Sequence, residues 1–168
     1  MRKITYVIIL SFICYQTNGQ APTKTLIRSL YKKAATDEAA CKEIITTLES
    51  YNENNNALWA GYKAYATIML ANHVFNPYSK LSNFNAGKKL LENCINADKG
   101  NVELRLLRFA IQTNAPSFLG YSNSINEDKL ILINTIGYIK ENELKQQIIS
   151  YLKTCEQLTP AEKLKLNQ

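Results

Sequence analysis

Two arginines on an otherwise apolar helix have the types and spacing best suited to chemistry in this chain. Within Val102 to Thr113, Arg105, Arg108 and Gln112 fall on one narrow face, while Val102, Leu104, Leu106, Leu107, Phe109, Ala110 and Ile111 cover the rest. A helix this apolar must be surrounded by neighbours, so its polar stripe either lines a groove or is paired inside. Guanidinium forks grip carboxylates through two nitrogens and keep their charge when partly buried. One reading is therefore a groove for an acidic peptide, a chain terminus or a small carboxylate. The other is structural pairing with acids such as Glu92, Glu127 or Asp128.

The loop that follows, Ala115 to Ser124, carries Phe118, Leu119 and Tyr121 between Pro116 and Gly120. Apolar side chains on a loop form a contact surface or fold back over the core. Because the loop leaves the arginine helix directly, Arg105, Arg108, Gln112, Phe118 and Tyr121 make up one candidate binding site. No residue set stands out as catalytic. His73 is the single histidine, which leaves no His–His or His–Cys ligand spacing, and neither a metal nor a cofactor is expected. It reads as a helix-end residue packed beside Tyr65 and Met69, although Cys94 or Cys155 could meet it in space. A Gly-rich phosphate loop, a nucleophile elbow, a zinc-protease helix and an EF-hand loop are all absent from the sequence. The adjacent Glu127 and Asp128 suit a helix dipole better than acid–base catalysis.

These residues have to be positioned by helices. Lys24 to Ala35 places Leu26, Ile27, Leu30, Tyr31 and Ala34 on one face, with the basic stripe Lys24, Arg28, Lys32 and Lys33 expected as its solvated side. Asp37 to Tyr51 is a second amphipathic segment with an acidic first turn, and Asn52 to Asn56 is a polar break. Ala57 to Phe75 is apolar nearly all round and so expected at the centre. Its small side, Ala60, Gly61, Ala64, Ile68 and Ala71, invites close approach of another backbone. Asn76-Pro77 ends it, a loop runs to about Ser82, and helix resumes over Asn83 to Ala97.

Lys99-Gly100 is a stop before the arginine helix, which Asn101 can cap. Glu127 to Lys140 follows, capped by Asn126; its run Leu130 to Ile133 could pass for a buried strand, but the absence of a strand partner favours helix. Glu143 to Cys155 is next, and Thr159-Pro160-Ala161-Glu162 has the pattern of a capping box with proline at the first helical position. The expectation is an all-α chain of about seven helices plus a short C-terminal one, stacked as irregular antiparallel hairpins or a bundle.

Residues 87–101 resemble the second helix of a tetratricopeptide repeat and its exit. Gly87 is small where the repeat wants a small residue, Leu91 is large four later, Cys94 is small three after that, and Asp98-Lys99-Gly100-Asn101 is similar to the repeat's Asp-Pro-Asn-Asn. The resemblance implies stacked helical hairpins with a concave binding face. Beyond it the chain departs from the family, with Arg105 and Arg108 where the repeat carries large apolar residues. As a whole the sequence resembles small exported helical proteins of Gram-negative bacteria, a likeness that implies no particular chemistry.

Export is read from residues 1–20. Arg2 and Lys3 give a positive start, Ile4 to Tyr15 is an apolar run too short to span a bilayer, and Thr17 with Gly19 suits cleavage before Gln20, or Gly19 with Ala21 the less favoured cleavage before Pro22. Ile13 precedes Cys14 where a lipidated cysteine calls for a small residue, so a lipid anchor is not expected. Residues 21–168 are then a single helical domain. Without Arg2 and Lys3 the formal charge falls from +6 to +4, with no clustered basic face to suggest nucleic acid. Cys41, Cys94 and Cys155 all fall on apolar helix faces, where free cysteine packs as a small hydrophobe; a disulfide between two of them stays open.

The function expected is an exported, non-catalytic interaction or scaffold module, periplasmic or secreted, that binds a protein or peptide partner in the cell envelope. The mature chain carries no expected transmembrane segment. The alternative is a small-carboxylate-binding protein or enzyme with an internal pocket near Arg105 and Arg108.

Overall fold

The computed structural model describes residues 21–167, so the expected signal segment lies outside the described residues. Among the described residues there are eight α-helices: α1 (Lys24–Ala34), α2 (Glu38–Thr47), α3 (Ala57–His73), α4 (Pro77–Ala97), α5 (Val102–Asn114), α6 (Ile125–Thr135), α7 (Asn142–Thr154) and the short α8 (Pro160–Leu164). Among the described residues there is no strand, and Leu130 to Ile133 lies within α6. From α1 to α6 each helix packs on the next in sequence, giving a stack of helical hairpins. No helix among the described residues is long and apolar enough to cross a membrane.

Capping side chains set most of the helix starts. Asp37, Asn56, Asn76, Asn101 and Thr159 each accept hydrogen bonds from first-turn amides, satisfying donors that have no partner inside the helix. The expected box at Thr159 is complete, with Glu162 reaching back to the Thr159 amide at 2.8 Å. Two starts differ from expectation. α3 ends at His73, two residues short of the expected Phe75, with Val74 already extended, and Asn76-Pro77 instead opens α4: the Asn76 side chain accepts from the Tyr78 and Ser79 amides, and Pro77 occupies the first turn. Residues 77–82 are thus helix rather than loop. α6 begins at Ile125, without a side-chain cap, and its end tightens into a 3-10 turn at Ile136–Tyr138.

α3 is central, touching α1, α2, α4 and α5. Its small side works as anticipated. A β-carbon on Gly87 of α4 would stand 2.6 Å from both the Ala64 carbonyl oxygen and Ile68 Cγ1 of α3, so only glycine allows these backbones so close. Gly61 in turn accommodates the tip of Leu104 from α5.

α5 divides the interior. Leu104, Leu107, Ala110 and Ile111 join a core built with α1 to α4, while Leu106 and Phe109 join a second core with Leu132, Ile136, Leu144, Ile148 and Leu152. Every residue from Glu103 to Gln112 is buried. A helix buried on all sides must place its charges against partners, because an unpaired charge in such surroundings is too costly to keep.

Candidate functional site

The arginine helix meets that requirement through a knot of ion pairs. Arg108 Nε and Nη2 donate to the two oxygens of the fully buried Asp128 at 2.7 and 2.8 Å, and Nη1 donates to Glu92 at 3.0 Å. Arg105 Nη1 donates to Glu127 at 2.9 Å and to Asp128 at 3.2 Å, while its Nη2 donates to the Lys99 carbonyl. The three acids weighed as structural partners are the ones the forks hold. The pairs with Asp128 and Glu92 keep the Arg108 guanidinium charged against the opposing effect of burial.

The same knot fixes the loop. The Tyr121 hydroxyl donates to the second oxygen of Glu92 at 2.5 Å, and its ring meets Phe84 edge-on under the Lys88 ammonium. Burial and the neighbouring Glu92 push that phenol well above its ordinary range. Gln112 Oε1 accepts from the Ser124 amide at 3.2 Å. Tyr121 and Ser124 are thereby tied to the body of the stack, whereas Phe118, in the 3-10 turn Ser117–Leu119, stands 84% exposed. Gly120 closes that turn at φ 58°, a left-handed conformation suited to glycine.

Of the five residues expected at one site, Arg105, Arg108 and Tyr121 build this knot, Gln112 holds the loop at Ser124, and only Phe118 lines a cleft. That cleft, about 730 Å³, lies between α3, α4 and the end of α5. Ile68, Met69, Leu81, Phe84, Ile111 and Phe118 supply much of its wall, and among the described residues Lys80 is the one charged residue lining it. Neither Arg105 nor Arg108 reaches it.

A second buried charge network was not anticipated. Arg28 is fully buried, a correction to its expected place on a solvated face; Lys24, Lys32 and Lys33 are exposed as expected. Its Nε and Nη2 donate to the two oxygens of Glu103 at 2.7 and 2.8 Å, Nη1 donates to Glu141 at 2.6 Å, and the Tyr62 hydroxyl also donates to Glu103. Arg28 stands one position beyond Ile27 and three before Tyr31, the border of the apolar stripe, which was the available sign.

His73 Nε2–H donates to the Ala34 carbonyl at 3.0 Å, so the histidine ties α3 to the end of α1. All three cysteines described are buried free thiols. Burial raises Cys41 to about 11 and Cys94 to about 12, which keeps both as unreactive thiols. Among the described residues no group of three His, Cys, Asp or Glu side chains could hold a metal ion.

No protein-family model matches the chain, and no curated protein or solved structure does either.

Proposed function

We propose that the chain is an exported helical module whose apolar cleft holds a segment of a protein partner in the cell envelope. The observation that carries this reading is the cleft itself, of about 730 Å³, rimmed by an aromatic side chain that a tethered loop leaves 84% exposed. Soluble chains seldom expose a large apolar residue beside an apolar hollow without use for it. Leu81, half-exposed and also lining the cleft, adds to the same apolar surface. The occupant that fits is an apolar segment carrying an acidic residue, since Lys80 is the only charge within the lining among the described residues.

Export rests on the charged, apolar and small-residue order of residues 1–20. The small-carboxylate alternative needed free guanidinium groups near Arg105 and Arg108; those forks already hold Asp128, Glu127 and Glu92. That engagement favours the module.

Placing a photoreactive amino acid at position 118 or 81, and separately at Tyr138, tests the reading in the native cell. Tyr138 is as exposed as Phe118 but lies outside the cleft lining. One envelope protein should crosslink from 118 and 81 and not from 138. Equal labelling from all three, or none from the cleft, contradicts the proposal.

A further inference from the structure

A second hollow of about 460 Å³ lies beside the apolar cleft, between α1 and α7. Ala35, Tyr65 and Tyr151 line both, so the two adjoin along one face as a groove in two parts. Lys32, Glu143, Gln146, Gln147 and Ser150 also line this second part. Gln147 is 8% exposed, and its amide nitrogen and oxygen both lack a hydrogen-bond partner among the described residues.

That is unusual for this molecule. The buried carboxylates Glu103 and Asp128 are held at both oxygens, and the buried amide of Gln112 bonds through its oxygen to Ser124. Arg105 leaves Nε unpaired, but its other two nitrogens are engaged and it lines neither hollow. A buried amide with donor and acceptor both unmet calls for an explanation, because sequestering such groups without partners is costly.

We infer that this groove takes an extended peptide, with Gln147 reading the main chain and the adjoining cleft taking an apolar side chain. The inference rests on the partner-segment reading above and specifies the form of the segment. In an extended chain the N–H and C=O of one residue point to the same side, as they do where residues pair across an antiparallel ladder. A primary carboxamide offers one acceptor and one donor side by side, the complement of that pair. Turning the Gln147 side chain toward an occupant forfeits no hydrogen bond to the described residues. The apolar walls beyond Tyr65 and Tyr151 then suit a side chain, as the stretch beside Gln147 suits a backbone.

The test selects random twelve-residue peptides displayed on phage against the purified full-length protein. The tightest is then synthesised with each amide replaced in turn by an ester, and affinities are measured for the unaltered protein, Gln147→Leu and Phe118→Ser. One ester position should weaken binding to the unaltered protein about tenfold and leave binding to Gln147→Leu unchanged. Phe118→Ser should weaken every selected peptide. Gln147→Leu should melt no lower than the unaltered protein, which separates lost recognition from lost folding. If every ester behaves alike on the unaltered protein and on Gln147→Leu while Phe118→Ser still weakens binding, the role of Gln147 is wrong and the partner-segment reading stands. Binding indifferent to both substitutions overturns the two together. Failure to enrich any peptide overturns the extended-peptide inference, leaving the crosslinks from position 118 to judge the broader reading.

Discussion

Arg28 gathers Glu103, Glu141 and Glu143 from two other helices and their approaches, although it arises from a helix of otherwise solvated cations. Its hydrogen bond to Glu141 has a consequence in pH. Despite partial burial, the Arg28 guanidinium, helped by Lys24, holds the Glu141 carboxyl at about 2, below its ordinary 4.5. A carboxyl more acidic folded than unfolded stabilises the fold wherever it is ionised in both states. That contribution is therefore complete above about pH 4.5 and lost as pH falls through about 2. Urea unfolding between pH 6 and pH 2 should show stability declining through this window, and Glu141→Gln should flatten the decline. Arg28, Glu103 and Gln147 were hidden from sequence reading for one reason: each is a polar residue inside an apolar surround, and a helical wheel gives direction without naming the neighbour. Gln147, three after Leu144 and four before Tyr151, sits squarely on the α7 apolar stripe, so its position was visible even though its lack of partners was not.

Periodicity made most helices legible, because an amphipathic helix buries one stripe and the stripe is written in the spacing of apolar residues. α4 shows where that signal fails. Its first turns, from Pro77 to Ser82, keep most residues exposed, so no apolar stripe marks them, and Asn76-Pro77 reads equally as a stop and a start. The turn matters, since Lys80 and Leu81 within it face the cleft. The spacing between α3 and α4 is set farther along, at Gly87. Alanine there gains about 1 kcal/mol of helix propensity but overpacks the Ala64 carbonyl and Ile68, which costs about 1–3 kcal/mol. A backbone oxygen 2.6 Å from the new carbon cannot step aside as a flexible side chain could, so the cost prevails. Gly87→Ala should lower the free energy of unfolding in urea by up to about 2 kcal/mol; an increase would mean that the two helices pack less closely.

At the scale of the molecule, charge and apolar exposure have separate tasks. The two buried networks tie helices together over different spans: Arg28 links α1 to the distant α5 and the start of α7, and the Arg105–Arg108 knot links α5 to its sequence neighbours α4 and α6. By anchoring Tyr121 and Ser124, the second knot also leaves Phe118 standing at the cleft. The candidate residues were found in sequence as one neighbourhood, yet their division between holding and presenting depended on which acids lay within reach in space. Equilibrium unfolding of the Arg105→Ala/Arg108→Ala double variant beside Phe118→Ser tests that division directly. Stranding Asp128 without its guanidinium partners should cost about 3–5 kcal/mol, whereas replacing an exposed Phe118 should stay within about 0.5 kcal/mol. An arginine double variant as stable as the unaltered chain would contradict the account, as would a Phe118→Ser variant that unfolds several kcal/mol more easily.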